Sequence, residues 1–205
     1  MLREIICDKF KEKKIEFHDG LNVVLGDEQG SNSIGKSTFL MIIDYVYGGK
    51  DYVMKSIDIQ RNVGAHIIKF SFMFKGNKYY FSRNTNDTEY VNICNDKYEV
   101  TETITLEQYT NKLKSLYEFG DKDISFRDVV GRYIRVYGKD NLNEKHPLDA
   151  VGNEKPTQAM NALLKLYDLY AAISELEDLA KRKGDELNAL KNAQKYHLSL
   201  IHISE

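Results

Sequence analysis

Cysteine is scarce in this 205-residue chain: there are two, Cys7 and Cys94, far apart. That excludes a disulfide framework and a cysteine-based zinc site, and it points to a reduced, cytoplasmic setting. Long apolar runs are missing too. No stretch approaches the ~20 apolar residues that span a bilayer. Met1-Leu2-Arg3-Glu4 leads into a short strand pattern instead of a signal sequence, so no membrane partner is expected. Neither sign of charge is in excess. With 29 Lys+Arg against 31 Asp+Glu the net charge is −2, so a DNA contact would have to come from a local patch. Proline is nearly absent, and its two occurrences, Pro147 and Pro156, lie close together and mark a boundary. What remains is a 42% hydrophobic share, enough for a core, in a length that suits one α/β domain with an appendage or two small units.

The most informative stretch is Gly30-Ser31-Asn32-Ser33-Ile34-Gly35-Lys36-Ser37-Thr38. It fits the phosphate-binding pattern G-x-x-x-x-G-K-[ST] at every fixed position. Leu21-Asn22-Val23-Val24-Leu25-Gly26 before it reads as a buried strand. Phe39 to Tyr47 after it reads as an apolar helix stopped by Gly48-Gly49. A loop of small residues between strand and helix turns successive backbone N–H groups inward around phosphate oxygens, at the positive end of the helix dipole. Lys36 can reach the β- and γ-phosphates, the Ser37 hydroxyl can hold Mg²⁺, and Thr38 can add a hydroxyl near the α-phosphate.

Around this loop the chain reads as follows. Residues 2–7 form a first strand, and Lys9 to Lys14 a polar, basic turn that reads as a solvated tip. Ile15-Glu16-Phe17 and Leu21-Asn22-Val23 flank Asp19-Gly20, a hairpin signal. Residues 50–63, through Asp51, Asp58 and Arg61, are a polar connection. Ile68, Phe70, Phe72 and Phe74 alternate with Lys69, Ser71 and Met73, the period of a half-buried strand. Strands at 78–83, 89–94 and 97–101 complete an antiparallel meander, whose aromatics read as core instead of base-stacking platforms. A helix over 105–119 capped by Thr105 and a second over 125–137 capped by Ser125 follow. Arg127, Arg132 and Arg135 with Tyr133 and Tyr137 offer a basic aromatic face, read as exposed solubilising arginines, with contact to DNA or to a partner's γ-phosphate as the other reading.

A Phe after the first strand, then Ile15-Glu-Phe-His-Asp-Gly-Leu-Asn-Val-Val-Leu-Gly26, then Asn32-Ser-Ile-Gly-Lys-Ser-Thr-Phe-Leu40, resembles the N-terminal half of an SMC/RecF/RecN-type ATPase head. These are ABC-class P-loop ATPases with long coiled coils, and the closest likeness is to SMC-like ATPases of bacterial ABC three-component and related defence systems. The resemblance spans roughly residues 1–195 and is strongest over 15–47. Ser33 stands where the family usually has Gly, and Asp27-Glu28-Gln29 lengthens the approach to the loop. The resemblance implies ATP and Mg²⁺ as ligands, a second ATPase head and a C-terminal lobe as partners, and coupling to DNA transactions or defence. A family glutamine that helps hold Mg²⁺ and the attacking water has two candidates, Gln108 and Gln158, neither in a recognisable motif. No run of four apolar residues ends in Asp-Glu, and no Ser-Gly-Gly signature occurs. The expectation is therefore that residues 1–150 form the N-terminal lobe, catalytically inactive alone.

From Thr157 the sequence turns helical for about forty residues. Leu166, Leu169, Ile173, Leu176, Ala180, Lys183, Leu187 and Leu190 follow a heptad seam, flawed at Lys183 and weakened at Gly184. Residues 157–197 are expected to begin a coiled-coil arm. Residues 198–205 resemble the in-frame translation of a transposase sequencing adaptor, so the natural chain is expected to continue differently. The fold class implied is α/β: the N-terminal lobe of a P-loop NTPase of ABC/SMC type with an antiparallel meander and a long coiled-coil helix. Two other functions stay open, a P-loop kinase and a nucleotide-independent coiled-coil scaffold.

Overall fold

The computed structural model describes residues 1–25, 33–56, 61–136 and 138–201. Its centre is a six-stranded antiparallel sheet of β1 (Leu2–Ile6), β2 (Lys14–Glu16), β3 (Ile67–Phe74), β4 (Asn77–Asn84), β5 (Asp87–Cys94) and β6 (Val100–Thr105), in the order β2-β1-β3-β4-β5-β6. The alternation read over 68–74 holds: Ile68, Phe70 and Phe72 are fully buried. β3 pairs with β4 in continuous register, Phe70 opposite Phe81 and Phe72 opposite Tyr79.

One face of the sheet carries the core. Helix α1 (Ser33–Val46) lays Met41, Ile42, Tyr45 and Val46 on it, followed by the short α2 (Asp51–Met54). Helix α3 (Leu106–Leu116) adds Tyr109 and Leu113, and α4 (Phe126–Tyr133) adds Phe126 and Val130. Each fully buried aromatic or aliphatic side chain is worth ~1.5–3 kcal/mol. The aromatics interlock edge to face, Tyr109 against Phe81 at 5.2 Å and Tyr47 against Phe72 at 5.4 Å, so they are packing residues, as their alternation implied. The opposite face is polar: Glu4 accepts from Ser71 Oγ and Tyr98 OH, both at 2.9 Å.

Both caps read from sequence form. Thr105 makes a capping box with Gln108, and Ser125 Oγ accepts from Asp128 N–H at 3.0 Å. The basic tip forms as read, with Lys9, Lys11 and Lys13 exposed at the turn between β1 and β2.

Four expectations are corrected. The Asp19-Gly20 turn exists, with Gly20 at φ +87° and Asn22 hydrogen-bonded to His18, but it closes no hairpin. β2 instead pairs with β1, Ile5 opposite Ile15, because Cys7 N–H to Lys13 O (2.9 Å) already closes a turn there. Residues 21–25, expected as a buried strand, lie outside the sheet and are exposed, 81% at Leu21 and 84% at Leu25. An apolar strand is buried only between neighbouring strands, and no described strand runs beside this one. β6 begins at Val100, later than expected, because Asn95 to Glu99 form a turn with Tyr98 at φ +61°. The helical stretch from Thr157 is two helices, α5 (Pro156–Leu166) and α6 (Tyr170–Ile201). Asp168 at φ +59° ends α5, with Asp168 N–H on Lys165 O and Leu169 N–H on Leu164 O, and pairs with Lys122.

Helix α6 runs unbroken through Gly184, and Leu176, Leu187 and Leu190 of the heptad seam are exposed along it. No helix among the described residues is long and apolar enough to cross a membrane.

Candidate functional site

The site is built on α1. Eight apolar or aromatic residues would make Phe39 to Tyr47 an ordinary core helix but for one acid, Asp44. The helix stops at Gly48, which takes φ +92°. Gly48 N–H bonds to Tyr45 O (3.0 Å) and Gly49 N–H to Asp44 O (2.8 Å), the pattern of a Schellman cap. Neither glycine has room for a side chain. A Cβ on Gly48 would lie 2.7 Å from Thr110 Cγ2, and one on Gly49 would lie 1.9 Å from Asp44 Oδ2.

Every carbonyl of the last helical turn then finds a donor. Ile43 O takes Tyr47 N–H at 3.1 Å, and Val46 O takes the Tyr109 hydroxyl at 2.7 Å. Tyr45 O takes a guanidinium N–H of Arg83, which also donates to Gly49 O (3.0 Å) and Thr88 O (2.9 Å). Tyr47 O takes Arg127 Nη1 at 2.9 Å. Helix C-termini carry partial negative charge, so two arginines and a hydroxyl there are electrostatically matched. Burial pushes the Arg83 guanidinium pKa down, opposed by Tyr45, whose ring lies 3.8 Å beneath it. Buried Asp44 accepts Arg127 Nη2 at 2.6 Å and Lys139 Nζ at 3.2 Å on Oδ1. The C-terminal end of α1 is thus bolted to β4, α3 and α4.

The other end carries part of the phosphate-loop pattern. Gly35, Lys36, Ser37 and Thr38 occupy the start of α1, with Gly35 and Lys36 exposed and Ser37 and Thr38 half-buried. Beyond its chain neighbours and its own helix backbone, no atom of the described residues lies within 4 Å of where a Cβ on Gly35 would be. Lys36 has no ion-pair partner among the described residues. Ser33 and Ile34 also lie in α1, while Gly30, Ser31 and Asn32 fall outside the described residues. The chemistry of this set, an ammonium, a hydroxyl and the N–H groups of a helix's first turn, suits phosphate oxygens and a hard cation.

Gln108 is committed to the α3 cap, its Oε1 accepting Thr105 N–H at 2.9 Å. Gln158 lies in the first turn of α5 and lines an open polar cleft with Arg132, Glu154 and Lys165. The arginines read as a solubilising face turn inward instead. Arg127 holds α1, Arg132 is buried against Glu154 (2.9 Å), and Arg135 donates to Arg132 O (3.0 Å). Tyr133 is exposed, and Tyr137 falls outside the described residues. Sequence reading missed Arg83, Asp44 and Asn141, the last a buried amide that donates to Ile134 O and Ala150 O and folds the segment after α4. Two signals were available: a lone acid inside an apolar helix, and an arginine two residues after Phe81, on the inward face of β4.

A family model described as an AAA domain matches residues 7–204, nearly the whole chain. No curated protein and no solved structure matches it. With a phosphate-loop pattern opening a helix locked at its far end, and a family match over almost its full length, the chain belongs to the AAA domain family of P-loop ATPases.

Proposed function

We propose that the chain binds ATP with Mg²⁺ through residues 30–38, as the N-terminal lobe of an SMC-like ATPase head. The observation that carries this is Lys36, exposed and without an ion-pair partner among the described residues, beside Ser37 at the start of a helix whose other end is fixed by Arg83, Arg127 and Tyr109. Loop N–H groups and Lys36 would surround the β- and γ-phosphates, and the Ser37 hydroxyl would hold Mg²⁺. Mg²⁺ held there would supply positive charge to offset that of the phosphates.

The exposed Leu21, Val23, Val24 and Leu25 support a second part of the reading: strands of a C-terminal lobe cover this segment. Hydrolysis would then occur between two engaged heads and serve DNA transactions or bacterial defence. A P-loop kinase would need arginines free to close over the phosphates. Arg83, Arg127 and Arg132 are all held in structural bonds, which counts against it.

Titration calorimetry with ATP·Mg²⁺ tests the reading. Lys36→Ala removes a charge-assisted contact worth ~1.5–3 kcal/mol, so affinity should fall about one to two decades. Neither protein should release phosphate appreciably. Equal affinity in both proteins overturns the site assignment, and no binding to the wild type favours the scaffold.

A further inference from the structure

Helix α4 carries two guanidiniums, Arg127 half-buried and Arg132 buried, and each is pinned to a different neighbour. Arg127 reaches back to Asp44 and Tyr47 O at the end of α1. Arg132 donates from Nη1 and Nη2 to the two Glu154 oxygens (3.1 and 2.9 Å) and to Leu148 O (2.9 Å), just ahead of α5. Glu154 also accepts Ala150 N–H at 2.8 Å. Five residues of helix separate the two arginines by about 140° around the axis, so they leave α4 on different faces. Two-pronged pairs of this kind fix orientation as well as distance.

The pin at α1 is not saturated. Asp44 Oδ2 is buried with no hydrogen-bond partner among the described residues. Lys139 Nζ lies 3.2 Å from Asp44 Oδ1 and 4.0 Å from Asp51 Oδ2, so one cation serves two carboxylates. A small axial shift of α1 would redistribute Lys139 and Arg127 over those oxygens, while at the other face both Glu154 oxygens are engaged and Arg132 Nε is buried with no partner among the described residues. Packed contacts with two discrete arrangements convert small shifts into a change of state.

We propose that α4 transmits the state of the phosphate-loop helix to α5 and the long helix α6, with Asp44–Arg127 as its input pin and Arg132–Glu154 as its output pin. These four are positioning residues, since no bond from them to Ser33 through Thr38 is made among the described residues. The proposal rests on the reading of residues 30–38 as a nucleotide site.

Hydrogen exchange of the full chain, with and without ATP·Mg²⁺, is the test, with affinity measured in parallel. In the wild type, ATP should slow exchange of the α5 amides by about fivefold or more. Glu154→Gln should abolish that response and leave ATP affinity within about threefold, and Arg127→Met should abolish the response as well. A response that survives in Glu154→Gln overturns the proposal, as does a wild type that binds ATP without any change in α5. If Arg127→Met loses its circular dichroism, Glu154→Gln alone decides. Failure of the wild type to bind ATP instead removes the nucleotide reading, and the proposal with it.

Discussion

Replacing Arg83 by methionine isolates what a fully buried guanidinium does at the end of α1. Methionine keeps most of the stem volume and removes the fork. Tyr45 O retains the Gly48 N–H, and Thr88 is half-buried, so its carbonyl can turn to water. Gly49 O cannot, because Gly49 is buried and Arg83 is its donor. One orphaned buried carbonyl costs ~1–3 kcal/mol. Losing the cation from above the Tyr45 ring costs a further ~1–2 kcal/mol. Against this, the variant no longer desolvates a charge, which offsets part of the loss. We expect a net destabilisation of ~2–4 kcal/mol, or roughly 5–15 °C in melting temperature for a domain of this size. Thermal unfolding followed by circular dichroism measures it. Arg83→Lys should rescue little, because one ammonium cannot span Tyr45 O, Gly49 O and Thr88 O together. A methionine variant that melts within about 2 °C of the wild type, or above it, refutes the reasoning and shows that desolvation outweighs the bonds.

Gly49→Ala should be among the most damaging single-methyl changes. Its Cβ would fall 1.9 Å from Asp44 Oδ2 and 2.9 Å from Asp44 O, and Arg127 and Lys139 both hold that carboxylate through Oδ1. A loss of ~3 kcal/mol or more in urea unfolding is expected, and near-neutrality would mean the carboxylate is free to swing. Glu4 sets a pH dependence. Burial alone would raise its pKa, but hydrogen bonds from Lys14, Tyr98 and Ser71 outweigh that and hold it below the usual value. A depressed carboxylate stabilises the fold above its unfolded pKa of ~4.3 and loses that contribution as pH falls through the folded value, so Glu4→Gln should flatten the decline in stability below about pH 4. An unchanged acid limb would contradict it. Finally, Leu176, Leu179, Leu187 and Leu190 are exposed on α6, each worth ~1.5–3 kcal/mol when buried, so the full chain should self-associate in sedimentation velocity. Removing residues 170–205 should leave a folded monomer, because the core is built from the sheet, α1, α3 and α4.

What the amino-acid sequence determines here is what depends on neighbours a few positions away. The alternation over Ile68 to Phe74, the Thr105 and Ser125 caps and the Gly48-Gly49 stop all rest on local periodicity or turn chemistry, and local rules read them correctly. Tertiary structure decided the rest. Val23 and Val24 have the composition of a buried strand, yet burial needs partner strands, and pairing is a long-range fact. The break at Asp168 depends on Lys122, 46 residues away, which composition cannot show. The arginines differ most. Arg83, Arg127 and Arg132 look like solvated charges in one dimension, and only the packed chain brings Tyr45 O, Asp44 and Glu154 to meet them, because desolvating a guanidinium is tolerable only where acceptors converge from several elements at once.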